Sequence, residues 1–235
     1  HQPERVIIEY NGMWLVSNFE KPQLPTGWGV EQQITCVDGS TFQMYMANMK
    51  SIFMDMIKNT DMVIFNRCKK EDPLPTYRRG IKVANQRAEV IFEDEEGELG
   101  DIFQDEMPFD MNAPVIEILP EDYGIWFVDA MDHPENYEGK TVKFKARVMK
   151  PRGMGSKFFV PGRTAMTCCA DDTTFLGYVC KSAYAPKLTP GEWVEVTAKV
   201  GIEKRNEYQG EEGIVLDAEH VEQCDPLEDE MVYFN

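Results

Sequence analysis

The spacing of apolar residues changes near the middle of the chain, and this change constrains the fold more than any other feature. Residues 4–92 alternate short β-branched runs with helical repeats, whereas residues 113–235 contain mainly short strands. Between them, residues 93–112 carry nine acidic residues and no basic one, a pattern typical of a solvated connection. Pro108, Asn112 and Pro114 interrupt regular structure at its end. We therefore predict two domains, residues 1–112 and 113–235.

The first half has the pattern of an α/β domain. Apolar runs at 5–10, 31–37, 62–65 and 88–92 predict four strands, and the repeats at 41–58 and 75–85 predict two helices. Strands that alternate with helices form a mostly parallel sheet, which binds ligands at the carboxyl ends of its strands. The residues at or near those ends are Glu9 with Gly12, Asp38, Asn66 and the turn at 85–88.

Four motifs of the first half resemble the CobW-type GTPases, a family of P-loop nucleotidases linked to metal delivery. They are Val-Ile-Ile-Glu-x-x-Gly at 6–12, Ile-Thr-Cys-Val-Asp at 34–38, Asp-Met-Val-Ile-Phe-Asn-Arg at 61–67 and Val-Ala-Asn-Gln-Arg-Ala at 83–88. The resemblance implies a partial P-loop NTPase-like sheet and a parent protein that binds GTP and Mg²⁺. It also implies that Glu9 and Gly12 form a catalytic switch segment, and that Asn66 and Asn85 line the base pocket.

The chain also departs from that family. No Gly-x-x-x-x-Gly-Lys-Ser/Thr loop is present, so the residues that hold phosphate and Mg²⁺ are missing. Lys69 occupies the position at which the family has a carboxylate that hydrogen-bonds guanine. Asp72 could supply that carboxylate if the loop is longer. The family's metal-binding cysteine motif is missing as well. We therefore expect that this chain does not hydrolyse GTP. Because it opens at His1 without Met, we expect a piece of a longer protein whose phosphate loop lies upstream.

A simpler interpretation of the same residues requires no nucleotide. Glu9 could be an ordinary strand-end residue, and Asn66 could form a turn, as Asn commonly does. The first half would then be a degenerate scaffold, and the protein a non-enzymatic binding module.

The second half has the pattern of a small barrel. Residues 114–118 predict a strand and 123–131 a short helix. Apolar runs at 142–148, 158–167, 175–180, 193–200 and 213–221 then predict five further strands. Five short strands separated by turns are typical of an all-β barrel of the OB type.

Several strings in the second half resemble a bacterial domain of unknown function. They include Glu-Gly-Lys-Thr-Val at 138–142, Met-Thr-Cys-Cys-Ala-Asp-Asp at 166–172 and Met-Val-Tyr-Phe at 231–234. That domain is the soluble part of a two-component permease subunit and also extends some CobW-type GTPases. The resemblance implies an OB-like fold, a membrane permease partner and a role in metal or membrane-transport homeostasis.

The Cys-Cys-Ala-Asp-Asp string is the clearest candidate metal site. Thiolates and carboxylates bind Zn²⁺, so Cys168, Cys169 and Asp171 are candidate ligands. Adjacent residues of a strand point to opposite faces, however, which places the two cysteines poorly for one ion. The alternative is that one cysteine packs in the core while the carboxylates form the turn.

The net charge of −17 argues against nucleic acid as a partner of the whole protein. Residues 140–163 differ from the rest of the chain, because they include eight basic residues and no acidic one. A groove that binds single-stranded nucleic acid requires such a basic segment. The flanking acidic stretches could neutralise them, so nucleic-acid binding is not the favoured prediction. Six cysteines, two of them adjacent, favour a reducing compartment, and we expect a cytoplasmic protein. A second copy of the chain could cover the exposed edge of the parallel sheet.

Overall fold

The computed structural model describes residues 3–19, 24–100, 107–167 and 173–233. The chain divides into two compact units, His1–Phe103 and Gln104–Asn235. None of the helices in the described ranges has both the length and the hydropathy that a membrane crossing requires.

The first unit is a small α/β layer in which all three strands run parallel. Its sheet has the order β1-β2-β3, and each strand is linked to the next by a helix. This confirms the predicted parallel sheet with helices, although a P-loop NTPase-like fold is not shown. The elements are β1 (Ile34–Asp38), α1 (Phe42–Ile57), β2 (Met62–Asn66), α2 (Leu74–Ala84) and β3 (Glu89–Phe92).

Aromatic rings form the core between the sheet and its helices. The Phe42 ring lies 4.9 Å from Phe65, 5.1 Å from Phe53 and 4.6 Å from Tyr77, measured between centroids. Phe92 stacks on Phe65 at 4.8 Å. Every second residue of β1 and β2 is buried, which is the strand periodicity expected when one face packs against helices.

The predicted strand at 5–10 is not formed. These residues have no regular secondary structure, and Val6, Ile7 and Ile8 are exposed, Ile7 to 92%. A β-branched run becomes a strand only where a neighbouring backbone pairs with it. In the ranges that the structure describes, no strand does so.

The second unit is a closed five-stranded barrel with additional strands. Its elements are β4 (Ile116–Glu117), α3 (Tyr123–Asp132), β5 (Thr141–Met149), β6 (Phe158–Met166), β7 (Thr173–Gly177), β8 (Val179–Lys181), β9 (Trp193–Lys204), β10 (Glu212–Gln223) and β11 (Met231–Val232).

The barrel closes because β5 pairs with both β9 and β6. The ring runs β5-β9-β10-β8-β6 and returns to β5, and all of its pairings are antiparallel except the parallel pair β8–β10. This arrangement is consistent with an OB-like barrel. The five predicted strands are present, with the third interrupted at Tyr178 into β7 and β8.

Helix α3 supplies the aromatic core of the barrel. Trp126 lies 4.8 Å from Phe144 of β5 and 5.6 Å from Tyr178, and Phe127 stacks on Tyr178 at 4.8 Å. The hydroxyl of Tyr123 donates to the carbonyl of Leu176 at 3.0 Å, which satisfies a polar group that would otherwise be unpaired in the core. The barrel interior is therefore filled by side chains.

Replacement of Gly162 by Ala should destabilise the barrel. A Cβ at Gly162 would lie 2.3 Å from the carbonyl oxygen of Leu176, so the β6–β7 hairpin would have to separate. We expect a loss of about 3 kcal/mol in the free energy of unfolding, measured by urea denaturation with circular dichroism. Gly201→Ala is the matched control, because its Cβ would meet only the Val215 carbonyl at 3.7 Å. Equal stability of the two variants would contradict the close approach.

Candidate functional site

Polar side chains of the first unit meet at the carboxyl ends of β1 and β2, where Asp38 and Asn66 are register partners. The Asp38 carboxylate accepts hydrogen bonds from the Ser40 hydroxyl at 2.6 Å and from the Ser40 amide at 3.0 Å. Its other oxygen lies 2.7 Å from the Arg67 guanidinium. The Ser40 hydroxyl, followed by Arg67, lowers the pKa of Asp38, so this carboxylate remains charged in mildly acidic solution.

The turn after β2 is both strained and incompletely hydrogen-bonded. Arg67 has a φ of 55°, in the left-handed region that non-glycine residues rarely adopt. The Oδ1 atom of Asn66 is buried and has no hydrogen-bond partner among the described residues. A Cβ at Gly39 would lie 2.8 Å from the Cys68 sulfur, so this glycine allows the two loops to approach each other. A strained residue directly after a buried, unpaired acceptor is typical of a ligand site.

The structure brings only some of the predicted nucleotide-site residues to this end of the sheet. The carbonyl of Gly12 accepts a hydrogen bond from Tyr45, in the first turn of α1. Glu9 is exposed in a segment without regular structure. Asn85 lies before β3 begins, at the opposite end of the sheet from Asn66. Its amide donates to the carbonyls of Ile57 and Thr60, both at 2.8 Å.

The basic residues of β5 are opposed by carboxylates on the barrel wall. Lys143 lies 2.9 Å from Glu195 of β9, and this hydrogen bond is the main reason that the pKa of Lys143 is raised. Glu117 and Glu222 add smaller effects in the same direction. The basic residues of β5 therefore belong to a barrel surface that carries both positive and negative charges.

A stacked pair of side chains lies where the β9–β10 loop meets the start of β6. The Arg205 guanidinium lies 4.4 Å above the ring of Phe158. Glu207 binds the same guanidinium at 2.9 Å and Glu203 at 3.6 Å. We call Phe158, Glu203, Arg205 and Glu207 the loop platform. The exposed Lys181 is the cross-strand partner of Phe158.

Sequence reasoning missed the loop platform because Phe158 lies far along the chain from Glu203, Arg205 and Glu207. In the sequence, Phe158 begins a predicted strand and Arg205 follows one, and barrel closure brings these two residues together. The candidate zinc ligands Cys168, Cys169 and Asp171 lie outside the described residues, so that site stays a prediction. Within the described ranges, no three His, Cys, Asp or Glu side chains are grouped as a metal ion would require.

Comparison with known proteins identifies the class of the second unit. The profile described as the DUF1980 C-terminal domain matches residues 98–234. The chain therefore belongs to this family, which confirms the predicted relation to a domain of unknown function. CobW-type ancestry of the first half is not shown. The search of curated proteins returned no match.

Two solved structures illustrate a distant likeness. The mitochondrial single-stranded DNA binding protein Rim1 from S. cerevisiae is 10% identical, with a TM-score of 0.23 over 37% of this chain and 97% of that chain. An aspartyl-tRNA synthetase from Leishmania major Friedlin is 18% identical, with a TM-score of 0.26 over 49% of this chain and 21% of that chain. The description of the barrel therefore depends on its strand pairings.

Cys68 should react slowly with alkylating reagents although it adjoins the polar site. Burial raises the pKa of its thiol to about 11, so only about 0.1% would be thiolate at pH 8. Exposed Cys36 provides the comparison within the same unit. We expect iodoacetamide at pH 8 to modify Cys36 at least about tenfold faster, as measured by peptide mass spectrometry. Equal rates at the two cysteines would show that Cys68 is accessible.

Proposed function

We propose that the chain is a non-enzymatic binding module whose barrel recognises a protein partner at the loop platform. The observation that carries this proposal is the Arg205 guanidinium, stacked on Phe158 and held by two carboxylates. Arginine and aromatic residues dominate the energetics of protein interfaces. Side chains that are already ordered lose less conformational entropy when a partner binds.

The charge of the barrel favours a protein over a polyanion. Glu203 and Glu207 flank Arg205, and Glu195 neutralises Lys143 on the wall. A phosphate backbone would meet carboxylates at both places, whereas a protein with mixed charges can match them. The resemblance of this half to a permease-associated domain supports a membrane permease as the partner.

Cross-linking can test the loop platform as the contact. A photo-reactive amino acid at Lys181, beside Phe158, should form a covalent adduct with one protein in cells that express the complete protein. The same group at exposed Lys199 of β9 is the control and should form none. Arg205→Ala should reduce the yield at position 181 by about tenfold, whereas an exposed change such as Lys187→Ala should not. Equal yields at 181 and 199 would contradict the proposal.

Single-stranded oligonucleotides should not bind the chain. We expect no electrophoretic shift at about 50 mM salt, where the binding of phosphate by basic residues is strong. A shift that weakens steeply with added salt, and that Lys143→Ala reduces, would instead support the nucleic-acid alternative.

A second candidate function is nucleotide binding at the carboxyl end of the parallel sheet. The buried, unpaired Oδ1 of Asn66 favours it, because this acceptor could take a hydrogen bond from a base. The resemblance to CobW-type GTPases supports guanine as that base and a parent protein that uses GTP with Mg²⁺. The phosphate-binding residues of such a site are not in this chain, so we propose binding of the base without hydrolysis.

Titration with a fluorescent guanosine nucleotide tests this second candidate. If Asn66 contacts the base, Asn66→Ala should weaken binding by about tenfold, the usual effect of removing one hydrogen bond in a site. Asn85→Ala should leave the affinity unchanged, because that amide binds the carbonyls of Ile57 and Thr60 at the other end of the sheet. Absence of binding by the unchanged chain would exclude this function for it.

A further inference from the structure

Arg163 of β6 is a buried cation without a carboxylate partner in the described part of the chain. Its exposure is 2%, and burial lowers its pKa. The guanidinium donates to the carbonyls of Pro120, Asp229 and Met231, the last two at 3.0 Å. Its Nε has no hydrogen-bond partner among the described atoms. Burial of a cation without a carboxylate partner is costly in free energy. Here the backbone carbonyls and the adjacent Tyr123 ring compensate part of that cost.

Two of those carbonyls belong to residues 225–233, which we call the strap. The strap contains β11, which pairs parallel with β6 so that Met231 lies beside Thr164 and Val232 beside Ala165. Val232 is buried, whereas Asp225, Pro226, Glu228, Asp229, Glu230 and Tyr233 are exposed. The strap is therefore attached by a two-residue strand, one buried side chain and the Arg163 hydrogen bonds.

These contacts use features that any extended chain can offer. Arg163 donates hydrogen bonds to two backbone carbonyls that are two residues apart. The pairing of β11 with β6 involves only backbone groups. The Val232 position requires an apolar side chain. Addition of an extended peptide to a strand of this kind is a common mode of protein recognition. A two-residue attachment is also easily opened, because local opening costs less than global unfolding.

We propose that the edge of β6 at Thr164–Ala165 is a strand-binding groove that the strap occupies, and that an extended segment of a protein partner takes the groove by displacing the strap. This inference rests on the proposed function and specifies the form of the partner. The partner segment runs parallel to β6, carries an apolar residue at the position of Val232 and offers two carbonyls to Arg163. An empty groove would leave the guanidinium without these two acceptors, so a segment that offers the same carbonyls is favoured to replace the strap once it opens.

A labelled peptide with the sequence of residues 225–233 can probe the groove. Val232→Asp in the full chain should detach the strap, because a carboxylate cannot occupy the buried Val232 position. We expect that variant to bind the peptide at least about tenfold more tightly than the unchanged chain, whose own strap competes at a high effective concentration. A peptide with the same Val→Asp change is the control and should not bind. A folded variant that binds the peptide no better than the unchanged chain would overturn the inference.

Hydrogen exchange of the unmodified chain provides a second test that does not depend on a variant's folding. The amide of Val232 should exchange at least about tenfold faster than those of Val194 and Val196 in β9, because the strap opens while the barrel stays closed. Equal protection would mean that the strap leaves only on global unfolding, and this would overturn the inference.

The two proposals fail in different ways. Loss of the partner adduct at Lys181 with intact peptide binding would contradict the loop platform and leave the groove in place. A partner adduct together with a strap that never opens would support the binding module and contradict the groove.

Discussion

Closure of the barrel depends on the parallel pairing of β8 with β10. The other four pairings in the ring are antiparallel, and in the described part of the chain the three-residue strand β8 lies between β6 and β10 and pairs with both. The register sets Val215 beside Val179 and Leu216 beside Cys180, all four of them buried. Once this pairing forms, the β9–β10 loop and the start of β6 lie on the same side of the wall, and Arg205 can stack on Phe158.

Because side chains fill the interior of the barrel, we expect a partner to bind on its outer surface. Trp126 and Tyr123 of α3 are almost completely buried, and the Trp126 ring lies 4.8 Å from that of Phe144 on β5. The outer wall is of mixed charge, because β5 is basic while β4, β9 and β10 supply Glu117, Glu195 and Glu222. The loop platform and the β6 edge both depend on β6, one at its beginning and the other near its end.

The periodicity of the sequence predicted most of the elements but not all of their partners. Alternating residues predicted β5 and β9 because a barrel strand has one buried face, and the helical repeat predicted α1. The run at 5–10 has the same local signal yet forms no strand, since pairing is decided by a neighbouring backbone and not by the run itself. Asn66 and Asn85 both follow regular elements in the sequence, but one lies at the carboxyl end of the sheet and the other at the amino end.

The sequence by itself determined that the chain has two differently built halves and that the second contains five main strands, because periodicity reports which side of each element is buried. It also determined that basic and acidic residues are segregated along the chain. Only the tertiary structure decided that Glu195 faces Lys143, that Arg205 stacks on Phe158 and that Arg163 holds the strap by its carbonyls. These contacts join residues distant in the chain, and they depend on strand register, which local sequence does not specify.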